Sequence, residues 1–166
     1  MPATYRFPDG LTFTYPGNWT VRTVVPGTIA GITATVHDST GEALADIRNN
    51  YVSGCAAAPV TRVLLDRAPV PGLAAGGAQA PVFGFAEEFI SGDESSYSMG
   101  LSEPRFLEEG DGVTSACRLV RTGTGWFASS VLFDVPSFPN RAAAQAWMAT
   151  PQYGQLKALL TSLRYS

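Results

Sequence analysis

The chain has 166 residues, of which 45% are hydrophobic and 15% charged, and its formal net charge is −3. This length fits one globular domain, and no linker-like segment interrupts the sequence, so we predict a single domain over residues 1–166. The small negative charge argues against a nucleic-acid partner, and no apolar run approaches the roughly 18 residues of a transmembrane segment, so neither is expected.

The first elements predicted along the chain are short β-strands. Residues 4–7 and 11–15 flank Pro8-Asp9-Gly10, where proline fixes φ and glycine accepts a positive φ. This pattern predicts a β-hairpin. A third strand is predicted over residues 19–25, and Pro26-Gly27 ends it.

A second hairpin is predicted over residues 32–50, where apolar and polar residues alternate. A two-residue loop at Thr40-Gly41 places Val36 opposite Ala45. The same register places Ala34 opposite Ile47, so both strands bury one face. The other face is predicted to be wet, and it carries Thr33, Thr35, His37, Asp46, Arg48 and Asn50.

Further strands are predicted over residues 61–68, 82–90, 95–101, 113–121 and 126–133. The strand at 82–90 is apolar on both faces, which indicates a central position in a sheet. Two helices are predicted after them. Asn140 is a suitable N-cap for a helix over residues 141–149, and Thr150-Pro151 combines an N-cap with proline at the first helical position.

The strand-rich part therefore covers residues 4–135 and the helical part residues 140–164. This order predicts an α+β fold, in which the C-terminal helices pack on one face of an antiparallel β-sheet of roughly seven to nine strands.

The two cysteines, Cys55 and Cys117, bear on the compartment. In an oxidising compartment they would form a structural disulfide, whereas in the cytoplasm they would be two unrelated thiols. The sequence begins without a leader, so the protein is either cytoplasmic or exported with its leader removed; we favour export. The single lysine, with abundant Ala, Gly and Pro, is typical of a GC-rich bacterial genome.

His37 is the only histidine. Because a zinc site needs three or four converging ligands, we expect no metal site, and no motif indicates a cofactor. On the wet face of the second hairpin, His37, Asp46 and Arg48 form the only cluster that combines proton transfer with anion binding. These residues are the candidate binding site, and the alternative is that His37 is a solvated strand residue.

Acidic residues concentrate between residues 87 and 111, where eight acids and one arginine give a net charge of −7 and leave +4 for the rest of the chain. This segment is either an acidic surface for a basic partner or a hard cation, or a set of solvated hairpin tips. Glu87 and Glu88 point to opposite faces of a covered strand, and Arg118 is a candidate ion-pair partner. The acids are Glu87, Glu88, Asp93, Glu94, Glu103, Glu108, Glu109 and Asp111.

Two short motifs carry a family resemblance. The first motif is Phe13-Thr14-Tyr15-Pro16-Gly17-Asn18-Trp19, which resembles the Phe-x-x-Pro-x-x-Trp motif near the start of PsbP-like domains and of the related LpqN-type actinobacterial lipoproteins. The second is Ser162-Leu163-Arg164, which is similar to the end of the last helix in the same group. The resemblance implies an α/β/α sandwich, export by a lipoprotein leader, a lipid anchor in the full-length precursor, and a role as an accessory or binding subunit. This chain departs from the family in lacking the leader and a helix in its first half.

Three functions remain open at this point. The favoured one is an exported cell-envelope accessory or ligand-binding domain without catalytic activity, whose partner is a protein or a small molecule. The second is an enzyme that uses His37, Asp46 and Arg48. The third is a structural surface module that acts through the acidic segment. An enzyme should have a concave pocket lined by those three residues, a binding domain an apolar groove, and a surface module neither.

Overall fold

The strands form three antiparallel sheets instead of one. The computed structural model describes residues 1–25, 31–50, 56–89, 94–115, 118–122, 125–134 and 137–166. Within these residues the chain is mostly β, with twelve strands in sheets of three, five and four. The predicted α+β fold with a single large sheet is therefore wrong. The strands are β1 (Ala3–Arg6), β2 (Leu11–Tyr15), β3 (Thr20–Val24), β4 (Ile32–His37), β5 (Ala43–Asn49), β6 (Ala58–Pro69), β7 (Val82–Phe89), β8 (Ser95–Ser102), β9 (Gly110–Ser115), β10 (Leu119–Thr122), β11 (Gly125–Val131) and β12 (Arg164–Tyr165).

The three-stranded sheet has the order β1-β2-β12. Its hairpin is the one predicted, and the Asp9 side chain fixes the turn by accepting a hydrogen bond from the Leu11 amide at 3.1 Å. Gly10 has a φ of +93°, which favours glycine there. The short β12 was not predicted, and it pairs with β2 across almost the whole length of the chain.

The five-stranded sheet has the order β10-β11-β5-β4-β3. The predicted register of the second hairpin is confirmed, since Val36 lies opposite Ala45 and Ala34 opposite Ile47. Beyond Val36 the register shifts, so that His37 lies opposite Ala43. The alternation of side chains between the two faces is interrupted here in β5, because the bulge places an extra residue in that strand.

The four-stranded sheet has the order β8-β7-β6-β9, and β7 is central as predicted. The strand predicted over residues 113–121 is wrong as a single element. Its first part lies in β9, which pairs with β6, and its last part lies in β10, which pairs with β11 in the five-stranded sheet.

Two α-helices follow β11, α1 (Arg141–Met148) and α2 (Pro151–Thr161), and both predicted N-caps are confirmed. The Asn140 side chain accepts from the Ala143 amide at 2.9 Å, and Thr150 accepts from Tyr153 at 3.4 Å. Helix α2 contacts β2 and β7, and it therefore joins two of the sheets. Two 3-10 segments, Pro71–Gln79 and Pro104–Phe106, complete the described elements. The apolar stripe of α2 is buried and consists of Tyr153, Leu156, Leu159 and Leu160.

The four-stranded and five-stranded sheets meet where β8 contacts β11. At this contact the Leu101 amide donates to the Ser129 hydroxyl at 2.9 Å, and both residues are buried. A Cβ added to Gly100 would lie 2.3 Å from the carbonyl oxygen of Ser129. Only glycine allows the two backbones to come this close without displacement.

The substitution Gly100→Ala is expected to destabilise the protein by about 1–3 kcal/mol, because the new methyl group must push the two sheets apart. Gly154→Ala is the matched control. Gly154 is exposed within α2, and a Cβ there meets nothing within 4 Å. Alanine should therefore stabilise the helix by roughly 0.5–1 kcal/mol. Urea unfolding measures the change in the free energy of unfolding for each variant, and the two changes should have opposite signs. Equal changes would contradict this account of the sheet contact.

Candidate functional site

A pocket of about 610 Å³ lies between the start of β8, the end of β11 and the segment before α1. Val131 and Tyr97 are buried in its base, and Phe133 and Phe138 are half-buried beside them. We call this cavity the aromatic pocket. It is lined by Glu94, Ser95, Ser96, Tyr97, Val131, Phe133, Asp134, Ser137, Phe138 and Pro139.

The aromatic rings of the pocket belong to a larger cluster that extends into the core. Phe85 lies at its centre, with centroid distances of 6.4 Å to Tyr97 and 6.0 Å to Phe133. Phe138 packs against Tyr97 at 5.1 Å and 79°, and against Phe133 at 5.5 Å and 63°. Edge-to-face packing of this kind is favourable and fixes ring orientation. The pocket walls are therefore preformed by the core.

An ion pair fixes the segment that closes the pocket. Glu87 on β7 lies opposite Tyr97 on β8. Glu87 is 4% exposed, and its carboxylate accepts a hydrogen bond from Nε of Arg141 at 2.6 Å. The hydrogen bond to Glu87 and its negative charge raise the pKa of Arg141, which therefore stays protonated. Because Arg141 begins α1, this pair holds the residues just before the helix against the sheet.

The Tyr97 hydroxyl is an unusual polar group beside the pocket. Its oxygen is buried, and it makes no hydrogen bond of good geometry to a described residue, although the side chains of Ser95 and Glu87 lie close to it. Burial raises the pKa of Tyr97, and Glu87 adds to this effect while Ser95 opposes it, so the hydroxyl is neutral at physiological pH. The hydroxyl therefore faces the Glu87 side of the sheet, and the pocket is bounded by the ring of Tyr97.

Two exposed carboxylates, those of Glu94 and Asp134, stand at the rim of the pocket. Neither makes an ion pair or a hydrogen bond to a residue that the structure describes. Aromatic walls and two rim carboxylates form an arrangement suited to holding a small organic molecule. The lining residues include no histidine and no cysteine.

A second groove, of about 550 Å³, lies between the Pro16-Gly17 turn and α2. It is lined by uncharged residues, among them Thr14, Tyr15 and Gln155. Tyr15 is its one aromatic lining residue, and it has no carboxylate, whereas the aromatic pocket has three aromatic residues and two carboxylates. The aromatic pocket is therefore the stronger candidate.

The predicted cluster of His37, Asp46 and Arg48 lines neither of these two cavities. His37 is only 8% exposed, so its expected position on a wet face is wrong, and its Nδ1 lies 3.2 Å from the Thr35 carbonyl oxygen. Asp46 accepts from the Thr35 hydroxyl at 2.7 Å and lies 3.6 Å from Arg48. These contacts are the ordinary cross-strand and same-strand contacts of a hairpin.

The acidic segment is spread over several local interactions. Glu87 and Glu103 are buried, and Glu103 pairs with Arg105 at 2.8 Å. Glu109 accepts from the Leu64 amide at 2.7 Å, and Asp111 from the Thr61 hydroxyl at 3.0 Å. The exposed Glu94 and Glu108 remain, and Asp93 lies outside the described residues.

Glu88 is held by a buried arginine on the neighbouring strand. Nε of Arg62 donates to the Glu88 carboxylate at 2.9 Å, and Arg62 is 1% exposed. The other guanidinium nitrogens of Arg62 donate to the Glu108 and Thr114 carbonyl oxygens, at 2.9 and 3.0 Å. Arg62 thus uses donors on all three nitrogens to join β6, β7 and β9.

The predicted pairing of Arg118 with Glu87 or Glu88 is wrong, because Arg141 and Arg62 hold those acids. Arg118 donates to the Ser98 hydroxyl at 2.5 Å, while its Nη1 is buried without a partner. Burial lowers the pKa of Arg118 to about 10, against the opposing effect of Glu88. The predicted disulfide cannot be placed, since Cys55 and Cys117 lie outside the described residues.

Neither helix in the described ranges has the length and apolar character needed to span a membrane. No three His, Cys, Asp or Glu side chains of the described residues come together as a metal site. Comparisons with protein-family models, curated proteins and solved structures found no match.

A polar cluster outside the pocket ties α2 to β6. Asp66 accepts hydrogen bonds from the Tyr153 hydroxyl and from Nζ of Lys157, the latter at 2.7 Å. Burial acts to raise the pKa of Asp66, but the hydrogen bonds from Lys157 and Tyr153 and the charge of Lys157 outweigh it, so this pKa is lowered. Burial and Asp66 raise the pKa of Tyr153, which keeps its hydroxyl protonated as a donor.

This cluster predicts a pH dependence of stability. Because the pKa of Asp66 is lower in the folded chain, its contribution is complete above the unfolded value of 3.8 and is lost as the pH falls through the lower folded value. Asp66→Asn should therefore be less stable than the wild type at pH 6, and the difference should shrink below pH 3.8. Urea unfolding between pH 6 and pH 2.5 measures it, and a difference independent of pH would contradict the assigned ionisation.

Sequence reasoning missed the aromatic pocket because its residues come from two separated segments, 94–97 and 131–139. Neither segment contains a recognised motif. The available signal is the density of aromatic residues near the junction of the last long strand and the first helix, namely Phe133, Phe138 and Trp147. Aromatic residues in such a pattern belong to the hydrophobic core far more often than to a binding site. Only the cavity in the structure distinguishes a binding site from the core.

Proposed function

We propose that this chain is a non-catalytic ligand-binding domain of the bacterial cell envelope, and that it binds a small organic molecule in the aromatic pocket. The observation that carries the proposal is a cavity of about 610 Å³ whose lining includes the aromatic residues Tyr97, Phe133 and Phe138. Concave sites with aromatic walls and a few polar groups are typical of pockets that hold small organic molecules.

Export is the second part of the proposal. Two cysteines in a chain of this composition favour an oxidising compartment, and the resemblance to PsbP-like and LpqN-type domains implies a lipid-anchored precursor. Alkylation under non-reducing conditions followed by mass measurement tests it. A disulfide supports export, and two free thiols in protein purified from its native cells without reductant would overturn it.

Ligand binding is tested with 2-phenylethanol, a neutral probe that has an aromatic ring and a hydroxyl group. In a ¹H–¹⁵N NMR titration we expect saturable shifts concentrated at residues 95–97 and 133–134.

A blocking variant with a matched control makes the test specific. Ser95 lines the pocket, is exposed and lies on the same face of β8 as Tyr97, so Ser95→Trp should fill the cavity and abolish the shifts without altering the core. Ser130 is also an exposed strand residue but does not line the pocket, and Ser130→Trp should leave binding unchanged. Shifts that scatter over the surface, or that persist in Ser95→Trp, would overturn the proposed site.

A further inference from the structure

The charge around the aromatic pocket is one-sided. Glu94 and Asp134 stand at its rim as exposed carboxylates without an ion-pair partner among the described residues. The residues that line the pocket include no lysine or arginine, and Arg141, which follows the lining segment, is already paired with the buried Glu87 at 2.6 Å. The pocket therefore presents two uncompensated negative charges to an incoming ligand, and these attract a cation.

The walls favour the same kind of ligand. The ring plane of Phe138 makes an angle of 79° with that of Tyr97 and of 63° with that of Phe133. Rings that meet at steep angles present faces of different orientation to the space beside them. The face of an aromatic ring attracts an ammonium group, and desolvated sites of this kind recognise quaternary and primary amines.

We propose that the ligand of the aromatic pocket is an organic cation, an amine or quaternary ammonium group carried on an apolar body. This inference rests on the proposed function, since it names the chemical class that the same pocket selects. The ammonium group lies toward Glu94 and Asp134, and the apolar body lies against Phe133 and Phe138.

Three aryl probes that share a ring and differ in charge test the class. They are the 2-phenylethylammonium ion, 2-phenylethanol and phenylacetate, titrated by NMR at low ionic strength. We expect the cation to bind about tenfold more tightly than the alcohol, as two exposed carboxylates allow, and the anion to bind most weakly. Added salt should weaken the binding of the cation and of neither other probe.

A charge-neutralising variant assigns the effect to the rim. Glu94→Gln/Asp134→Asn should bring the affinity of the cation down to that of the alcohol and leave the alcohol unchanged. Glu108→Gln is the matched control, since Glu108 is exposed and does not line the pocket. It should change neither affinity by more than about twofold.

The outcomes separate this inference from the proposed function. Equal affinities for cation and alcohol, both lost in Ser95→Trp, would overturn the cationic ligand and keep the pocket as a binding site. Tightest binding of phenylacetate would also overturn it. If none of the three probes shifts the pocket residues, the proposed function and this inference both fall.

Discussion

Replacement of Arg62 by methionine is expected to lower the free energy of unfolding by about 3–5 kcal/mol, because it leaves the carboxylate of Glu88 in a mostly buried position without its cation. Arg62 is 1% exposed, and its guanidinium also satisfies the Glu108 and Thr114 carbonyl oxygens. These acceptors lose their donors as well. For a domain of this size the melting temperature should fall by roughly 10 °C.

Two further variants show whether burial is the cause. Arg62→Met/Glu88→Gln removes both charges, and it should recover part of the lost stability because no buried charge is left unpaired. Arg105→Met breaks the pair with Glu103, in which the arginine side chain is 66% exposed, and it should cost no more than about 1 kcal/mol. If Arg62→Met costs as little as Arg105→Met, the guanidinium does not organise this sheet.

Replacement of Phe85 by alanine is expected to destabilise the protein by about 3–5 kcal/mol, because it removes a fully buried ring and leaves a cavity. The ring centroid of Phe85 lies 5.6 Å from that of Trp147 and 5.9 Å from that of Tyr153, in addition to its contacts with the rings of the pocket. The substitution therefore weakens the attachment of both helices to β7 at once.

Phe85→Leu is the matched control, since it keeps most of the apolar volume and should cost less than half as much. Denaturant unfolding gives the stabilities, and the indole N–H NMR signal of Trp147 reports on its surroundings separately from the other two tryptophans. A large cost with an unchanged Trp147 signal in the folded state would contradict the role of Phe85 as the support of α1.

Local patterns were enough to predict the hairpins, caps and the central strand. The turn at Pro8-Asp9-Gly10, the register that pairs Val36 with Ala45, and the caps Asn140 and Thr150 all depend on a few neighbouring residues. At this range, turn chemistry and two-residue alternation decide the structure.

Long-range pairing could not be predicted in the same way. Alternation gives each strand a buried face but does not say which distant strand it joins, so the pairings of β11 with β5 and of β9 with β6 left no local signal. This is why one predicted sheet is divided into three. The same limit hid the pocket, because Tyr97 and Phe138 meet only after the sheets have packed.

The choice of His37 as a candidate site residue shows a second limit. A lone imidazole is chemically versatile, and the alternation of β4 predicts that its side chain is exposed. In the structure this side chain is buried, although the extra residue at the register shift is Leu44 of β5, which leaves the two-residue period of β4 unchanged. Alternation predicts the face of the sheet on which a side chain lies, but it does not predict whether that face is covered.

The pairing of β12 with β2 has a consequence for synthesis of the chain. Strand β2 lies between β1 and β12, and the Ser166 amide donates to the Gly10 carbonyl at 3.1 Å. Strand β2 therefore has only one neighbouring strand until residues 164–165 have left the ribosome. Contacts between such distant residues form slowly because a long loop must close first. We expect the hairpin of β1 and β2 to lack its third strand during synthesis of the intervening residues, and the three-stranded sheet to form only once residues 164–165 are available.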